Sequence, residues 1–162
     1  MKLLQVITTG GTIDKIYYDD KSDYKIGEPE IGRILADMHV AFRWQVQPLL
    51  RKDSLEFTDA DRELVHRSVE ASDARHFLIT HGTDTMVETA LALGKQDQRV
   101  IVMTGALNPA RFIDSDAVFN IGCAVGAVQT LPPGVWIVMN GRVWDPHHVR
   151  KNRDANRFEA IG

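Results

Sequence analysis

Leu3-Leu4-Gln5-Val6-Ile7-Thr8-Thr9-Gly10-Gly11-Thr12-Ile13 and His76-Phe77-Leu78-Ile79-Thr80-His81-Gly82-Thr83-Asp84-Thr85-Met86 follow one pattern. In each, an apolar run of strand length is closed by a threonine-glycine turn. Runs rich in branched residues suit strands buried on both faces, as in a parallel sheet covered by helices. Glycine permits a tight turn and lets backbone N–H groups approach a ligand closely. Hydroxyls, N–H donors and the Asp84 carboxylate are therefore expected to converge on one small polar molecule at the strand ends.

Working outward, the pattern recurs. Arg99-Val100-Ile101-Val102-Met103 leads into Thr104-Gly105-Ala106, and Val135-Trp136-Ile137-Val138-Met139 into Asn140-Gly141-Arg142. A shorter run, Trp44 to Leu49, precedes Asp53-Ser54 and reads as another strand. Helical spacing links Ile31, Ile34, Leu35 and Met38 after Pro29, a residue suited to a first helical turn. Thr58 with Asp61 forms a capping-box pattern before the stripe Leu64, Val65, Ser68 and Val69. Two more helices are expected over 84–95 and 114–130. Strand alternating with helix predicts a mainly parallel α/β sheet with right-handed crossovers, and ligands in such sheets bind beyond the carboxyl ends of the strands. The aromatic and charged stretch Ile16 to Tyr24 breaks the pattern and reads as a hairpin or a mobile flap. The polar tail from Lys151 is expected to be partly disordered.

The chain has 162 residues, enough for one ordinary domain, 1–162. Its 19 basic and 22 acidic residues are interspersed, which calls for neither nucleic acid nor an anionic membrane. The single cysteine, Cys123, excludes an internal disulfide framework and is expected to serve core packing. Met1 to Val6 reaches the first turn too soon for a secretory signal, and no apolar run approaches membrane-spanning length. These features read as a soluble, cytoplasmic protein.

Each chemical candidate also has a structural reading. Thr12 is either a nucleophile or a turn threonine, and Thr83-Asp84 either a catalytic pair or an ordinary helix cap. Lys151, between Arg150 and Asn152, is either a surface lysine or a base. His81 reads as a brace for its turn. His147-His148 near Asp145 suggests a metal, but adjacent histidines on an extended chain point apart and no third spaced ligand is evident, so none is expected.

The Thr9-Gly10-Gly11-Thr12 and His81-Gly82-Thr83-Asp84-Thr85 turns, in this order, closely resemble the signatures of the bacterial-type L-asparaginases, the asparaginase/glutaminase family. The resemblance runs through nearly the entire chain. Ser22-Asp23-Tyr24 resembles the family's flap, Asp53-Ser54 its Asp-Ser motif, Thr104-Gly105-Ala106 its third turn, Asp116, Phe119 and Asn120 the following helix, and Val149-Arg150-Lys151 its Val-x-Lys segment. It implies a three-layer, doubly wound sheet with an N-terminal flap. It also implies catalytic roles for Thr12, Tyr24, Thr83, Asp84 and Lys151, with Gly11, Asp53, Ser54, Gly82, Thr83, Asp84 and Ala106 binding substrate. Thr12 would attack, Tyr24 would activate or position it, and Thr83, Lys151 and Asp84 would form a relay in which burial and the cations Arg150 and Arg153 lower the lysine pKa.

The usual family member has a second domain that supplies an acid to a neighbouring subunit's site; here the chain stops shortly after Lys151. Leu55 also stands where many secreted members have glutamine. The resemblance therefore implies a short, single-domain amidohydrolase that converts L-asparagine to L-aspartate and ammonia without cofactor. Glutamine or D-asparagine hydrolysis, or non-catalytic amino-acid binding, are the alternatives. A homodimer or homotetramer is expected to close the site, with Phe112, Ile113, Trp144 and Phe158 read either as contacts between subunits or as core.

Overall fold

A computed structural model of the chain describes residues 1–18 and 23–162. Asp19 to Ser22, within the expected flap, lie outside the described residues. Among the described residues the main sheet has six strands: β1 (Leu4–Gly10), β4 (Trp44–Lys52), β5 (His76–Thr80), β6 (Val100–Thr104), β7 (Gly134–Met139) and β8 (Arg142–Trp144). Their order is β4-β1-β5-β6-β7-β8. The first five are parallel and β8 runs antiparallel to β7.

Every residue of β1 and β6 is buried, the polar Gln5, Thr8, Thr9 and Thr104 included, as in strands covered on both faces. Side-chain alternation divides the core in two. Leu4, Val6, Leu78, Val102 and Val138 face α1 (Ile31–Asp37) and α4 (Ala117–Thr130), through Ile31, Ile34, Leu35, Ile121 and Val128. Ile7, Phe77, Ile79, Ile101 and Met103 face α2 (Asp59–Glu70) and α3 (Met86–Ala92), through Val65, Val69, Met86 and Ala90. Helices on both faces make the three-layer, doubly wound arrangement expected from the sequence. From β1 the chain winds outward to β4, then returns past β1 to β5, so strand order reverses between β1 and β5. A ligand crevice forms at such a reversal, and the two threonine-glycine turns follow these two strands.

The Thr58–Asp61 capping box is present in full. Leu64 is exposed, however, because the helix turns its Val65 and Val69 face inward. The fourth glycine turn has a different role from the others: Asn140 and Gly141, with φ of 56° and 72°, join β7 to antiparallel β8 as a two-residue hairpin.

The stretch after Thr12 is a hairpin of β2 (Lys15–Tyr18) and β3 (Asp23–Ile26), with Tyr17 opposite Tyr24. The tail departs from the expected disorder: β9 (Val149–Asn152) and β10 (Arg157–Ala160) pair antiparallel, and Phe158 is buried with Trp144 in the α2/α3-side core. Of the two readings open to them, Trp144 and Phe158 are therefore core rather than subunit contacts, whereas Phe112 and Ile113 are exposed. Cys123 is half-buried against the other core. No helix among the described residues is long and apolar enough to cross a membrane.

Candidate active site

Three turns meet at glycines that have no room for a side chain of their own. A Cβ on Gly11, whose φ is 87°, would lie 2.5 Å from the backbone nitrogen of Gly82, and a Cβ on Gly82 would lie 2.6 Å from Ser54 Cβ. Real carbon atoms cannot approach so closely, so both positions require glycine for the turns after β1, β4 and β5 to touch. Hydrogen bonds lock the contact. Gly11 N–H donates to Lys52 O at 3.0 Å, Thr85 Oγ1 donates to Ser54 O at 2.7 Å, and Thr85 N–H donates to Ser54 Oγ at 3.3 Å.

Thr83 opens a single 3-10 turn, Thr83–Thr85, and is buried. Its hydroxyl oxygen accepts a hydrogen bond from Lys151 Nζ at 2.6 Å, and Lys151 Nζ lies 3.5 Å from Asp84 Oδ1. Sixty-eight positions separate Thr83 and Lys151 in sequence. The β9–β10 hairpin brings them together: Lys151 stands opposite Phe158, whose ring is anchored in the core and whose N–H donates to Asn140 Oδ1 at 3.0 Å. Arg150 is directed elsewhere, to Glu159 at 2.7 Å, so it is not the neighbouring cation expected beside Lys151. Arg153 is: its Nε lies 3.6 Å from Asp84 Oδ1.

Thr12 begins the 3-10 turn Thr12–Asp14 and is half-buried, and its hydroxyl has no hydrogen-bond partner among the described residues. Tyr24 is 47% exposed; its ring packs on Tyr17 at 5.5 Å and Phe112 at 6.1 Å, and among the described residues no hydrogen bond joins it to Thr12. The structure therefore brings Thr83, Asp84 and Lys151 into one cluster beside Gly11, Gly82 and Ser54, while Tyr24 stands apart. Asp53 caps the short Ser54–Glu56 turn by accepting from Leu55 N–H at 3.0 Å, and lies 3.5 Å from Lys15 Nζ. Ala106 is buried. Its loop is held by the Asp116 carboxylate, which accepts from the N–H groups of Leu107 and Asn108, and by Asn120, which donates to Gly105 O at 2.9 Å.

His81 is fully buried beneath its turn. The carbonyl of Gly82, 2.7 Å from Nδ1, can only accept, so Nδ1 carries the proton and Nε2 accepts from Thr89 Oγ1 at 2.8 Å. Burial lowers its pKa to about 4, which leaves a neutral brace. His147 and His148 both turn toward Asp145, at 2.9 and 3.3 Å, because the short helical turn Pro146–His148 replaces the extended chain on which they would diverge. Among the described residues no group of three or more His, Cys, Asp or Glu side chains is arranged to hold a metal ion.

Sequence reasoning missed Asp14, two residues after Thr12. It is buried, its carboxylate accepts from Glu30 N–H at 2.9 Å, and burial raises its pKa to about 7. Glu30 itself is held ionised by Arg111 at 2.6 Å and Arg33 at 2.9 Å. Nothing in the local pattern marked either acid as buried, since their cover comes from distant segments.

The model of the family described as "Asparaginase, N-terminal" matches residues 3–161. The chain belongs to the asparaginase family. It is 29% identical to one component chain of the glutamyl-tRNA(Gln) amidotransferase of Thermoplasma acidophilum, over 98% of this chain and 42% of that protein. It is 28% identical to an L-asparaginase of Bacillus licheniformis, over 99% of this chain and 54% of that protein. The solved structure of L-asparaginase I from Vibrio cholerae superposes with a TM-score of 0.85 at 24% identity, covering 98% of this chain and 51% of that one. The asparaginase fold is thus shared across the chain, which spans about half the length of these relatives.

Proposed function

We propose that this asparaginase-family chain is an amidohydrolase that converts L-asparagine to L-aspartate and ammonia. The observation that carries the reading is the hydrogen bond from Lys151 Nζ to Thr83 Oγ1 at 2.6 Å with Asp84 Oδ1 3.5 Å away, at the reversal of strand order. A hydroxyl in contact with an amine is suited to proton transfer once the amine is neutral. Thr12 Oγ attacks the side-chain amide carbon, the hydroxyl proton passes to the leaving nitrogen, and ammonia departs. Water, activated by the Thr83–Lys151–Asp84 relay, then hydrolyses the ester to release aspartate and restore Thr12. Backbone N–H groups near Thr83 and Ala106 stabilise the oxyanion in both steps. Thr83 is the alternative nucleophile, favoured by its contact with the lysine.

Gly11, Asp53, Ser54, Gly82 and Asp84 line the substrate side of this site, and Ser54 receives the α-carboxylate. For Tyr24 to activate Thr12, its hairpin must shift when substrate binds. The domain, 1–162, works without cofactor, in the cytoplasm, as a homodimer or homotetramer that shields the site from water; light scattering of the purified protein tests the assembly. A second reading, glutamine as the amide substrate, is favoured by the similarity to the glutaminase-asparaginase of Pseudomonas aeruginosa, 33% identical over 60% of this chain and 26% of that protein. Ammonia release from L-asparagine, L-glutamine and D-asparagine separates these activities. Ligand binding without any release would leave a non-catalytic amino-acid-binding domain.

A further inference from the structure

Two cations from one hairpin face the same oxygen of Asp84. Lys151 Nζ lies 3.5 Å and Arg153 Nε 3.6 Å from Oδ1. Their surroundings differ. The Lys151 side chain is 8% exposed and tied to Thr83, whereas that of Arg153 is 60% exposed, at the rim of the site. A guanidinium keeps its charge at any working pH, so its effect on Asp84 is permanent. Asp53, the other site carboxylate, faces Lys15 Nζ at 3.5 Å. Neither acid thus offers an incoming ammonium an uncompensated negative charge. An ammonium that approaches Asp84 meets a carboxylate whose field is offset and a guanidinium that repels it.

We propose that Arg153 is a specificity-determining residue: by offsetting Asp84 it removes most of the advantage of an α-ammonium, so the site accepts carboxamides with or without one. The proposal rests on the reading of Asp84 as the carboxylate that faces substrate.

The test compares L-aspartate with succinate, which has the same carbon skeleton and carboxylates but no ammonium. Calorimetric titration of the full chain is run with wild type, Arg153→Gln and Arg153→Lys. Wild type binds the two ligands within about threefold of each other. Arg153→Gln shifts the ratio toward L-aspartate by up to about fivefold, the range open to an exposed ion pair. Arg153→Lys, which keeps the charge, stays near the wild-type ratio. An equal ratio in wild type and Arg153→Gln overturns the proposal, as does a wild-type preference for L-aspartate above about tenfold, or no binding of either ligand. Binding requires no hydrolysis. A protein that shows the shift yet releases no ammonia from L-asparagine refutes the hydrolase reading alone; one that releases ammonia with an unchanged ratio refutes this one alone.

Discussion

Replacing Asp14 with Asn separates two buried groups whose pH effects oppose each other. Asp14 has its pKa raised from 3.8 to about 7, chiefly by burial, against the lowering effect of the Glu30 N–H bond. Between those values the folded chain holds a proton that the unfolded chain releases, so stability falls as pH rises from about 4 to about 7. The gap corresponds to about 4 kcal/mol at about 1.4 kcal/mol per pH unit. His81 has its pKa lowered from 6.5 to about 4 by burial. There the unfolded chain holds the extra proton, and stability rises with pH between about 4 and 6.5, by about 3 kcal/mol. In wild type the two slopes largely cancel over that window. Asn cannot ionise, yet its Oδ1 can still accept from Glu30 N–H. Asp14→Asn should match wild type near pH 4 and exceed it by about 4 kcal/mol at pH 8, and its own stability should rise with pH between 4 and 6.5. Urea unfolding at pH intervals from 4 to 8 measures both curves, and subtraction removes every other titrating group. A difference that stays constant across this range would refute the reasoning for Asp14.

Thr12→Ala and Thr83→Ala should each lower ammonia release by on the order of a thousandfold with unchanged circular dichroism, because each removes one hydroxyl from a turn; near-wild-type turnover in either variant removes that threonine's role. Lys151→Met should cripple turnover yet weaken L-aspartate binding less than Asp84→Asn does, and full activity in Lys151→Met would make the lysine structural only. Phe158→Ala should destabilise the chain by about 3–5 kcal/mol, measured by urea unfolding, since it empties a core position. If Phe158→Ala instead unfolds like wild type, the β9–β10 hairpin is not anchored as described.

Local pattern alone was enough for the apolar runs of β1, β5 and β6, for the Thr58–Asp61 cap, and for the threonine-glycine turns. Each depends on side-chain periodicity or on backbone freedom, properties a short segment carries with it. The motifs named Thr12, Thr83, Asp84 and Lys151 by likeness to the asparaginases, and the chain proved to belong to that family. Tertiary structure decided which of them meet. Lys151 reaches Thr83 because Phe158, in a tail that reads as polar, finds a core pocket and pulls its hairpin onto α3 and β7. Tyr24 carries its motif equally well in sequence, yet its ring packs on Tyr17 and Phe112. The burial of Asp14 and the two cations on Asp84 were equally invisible, because desolvation and electrostatic pairing depend on segments far apart in the chain and arise when those segments pack.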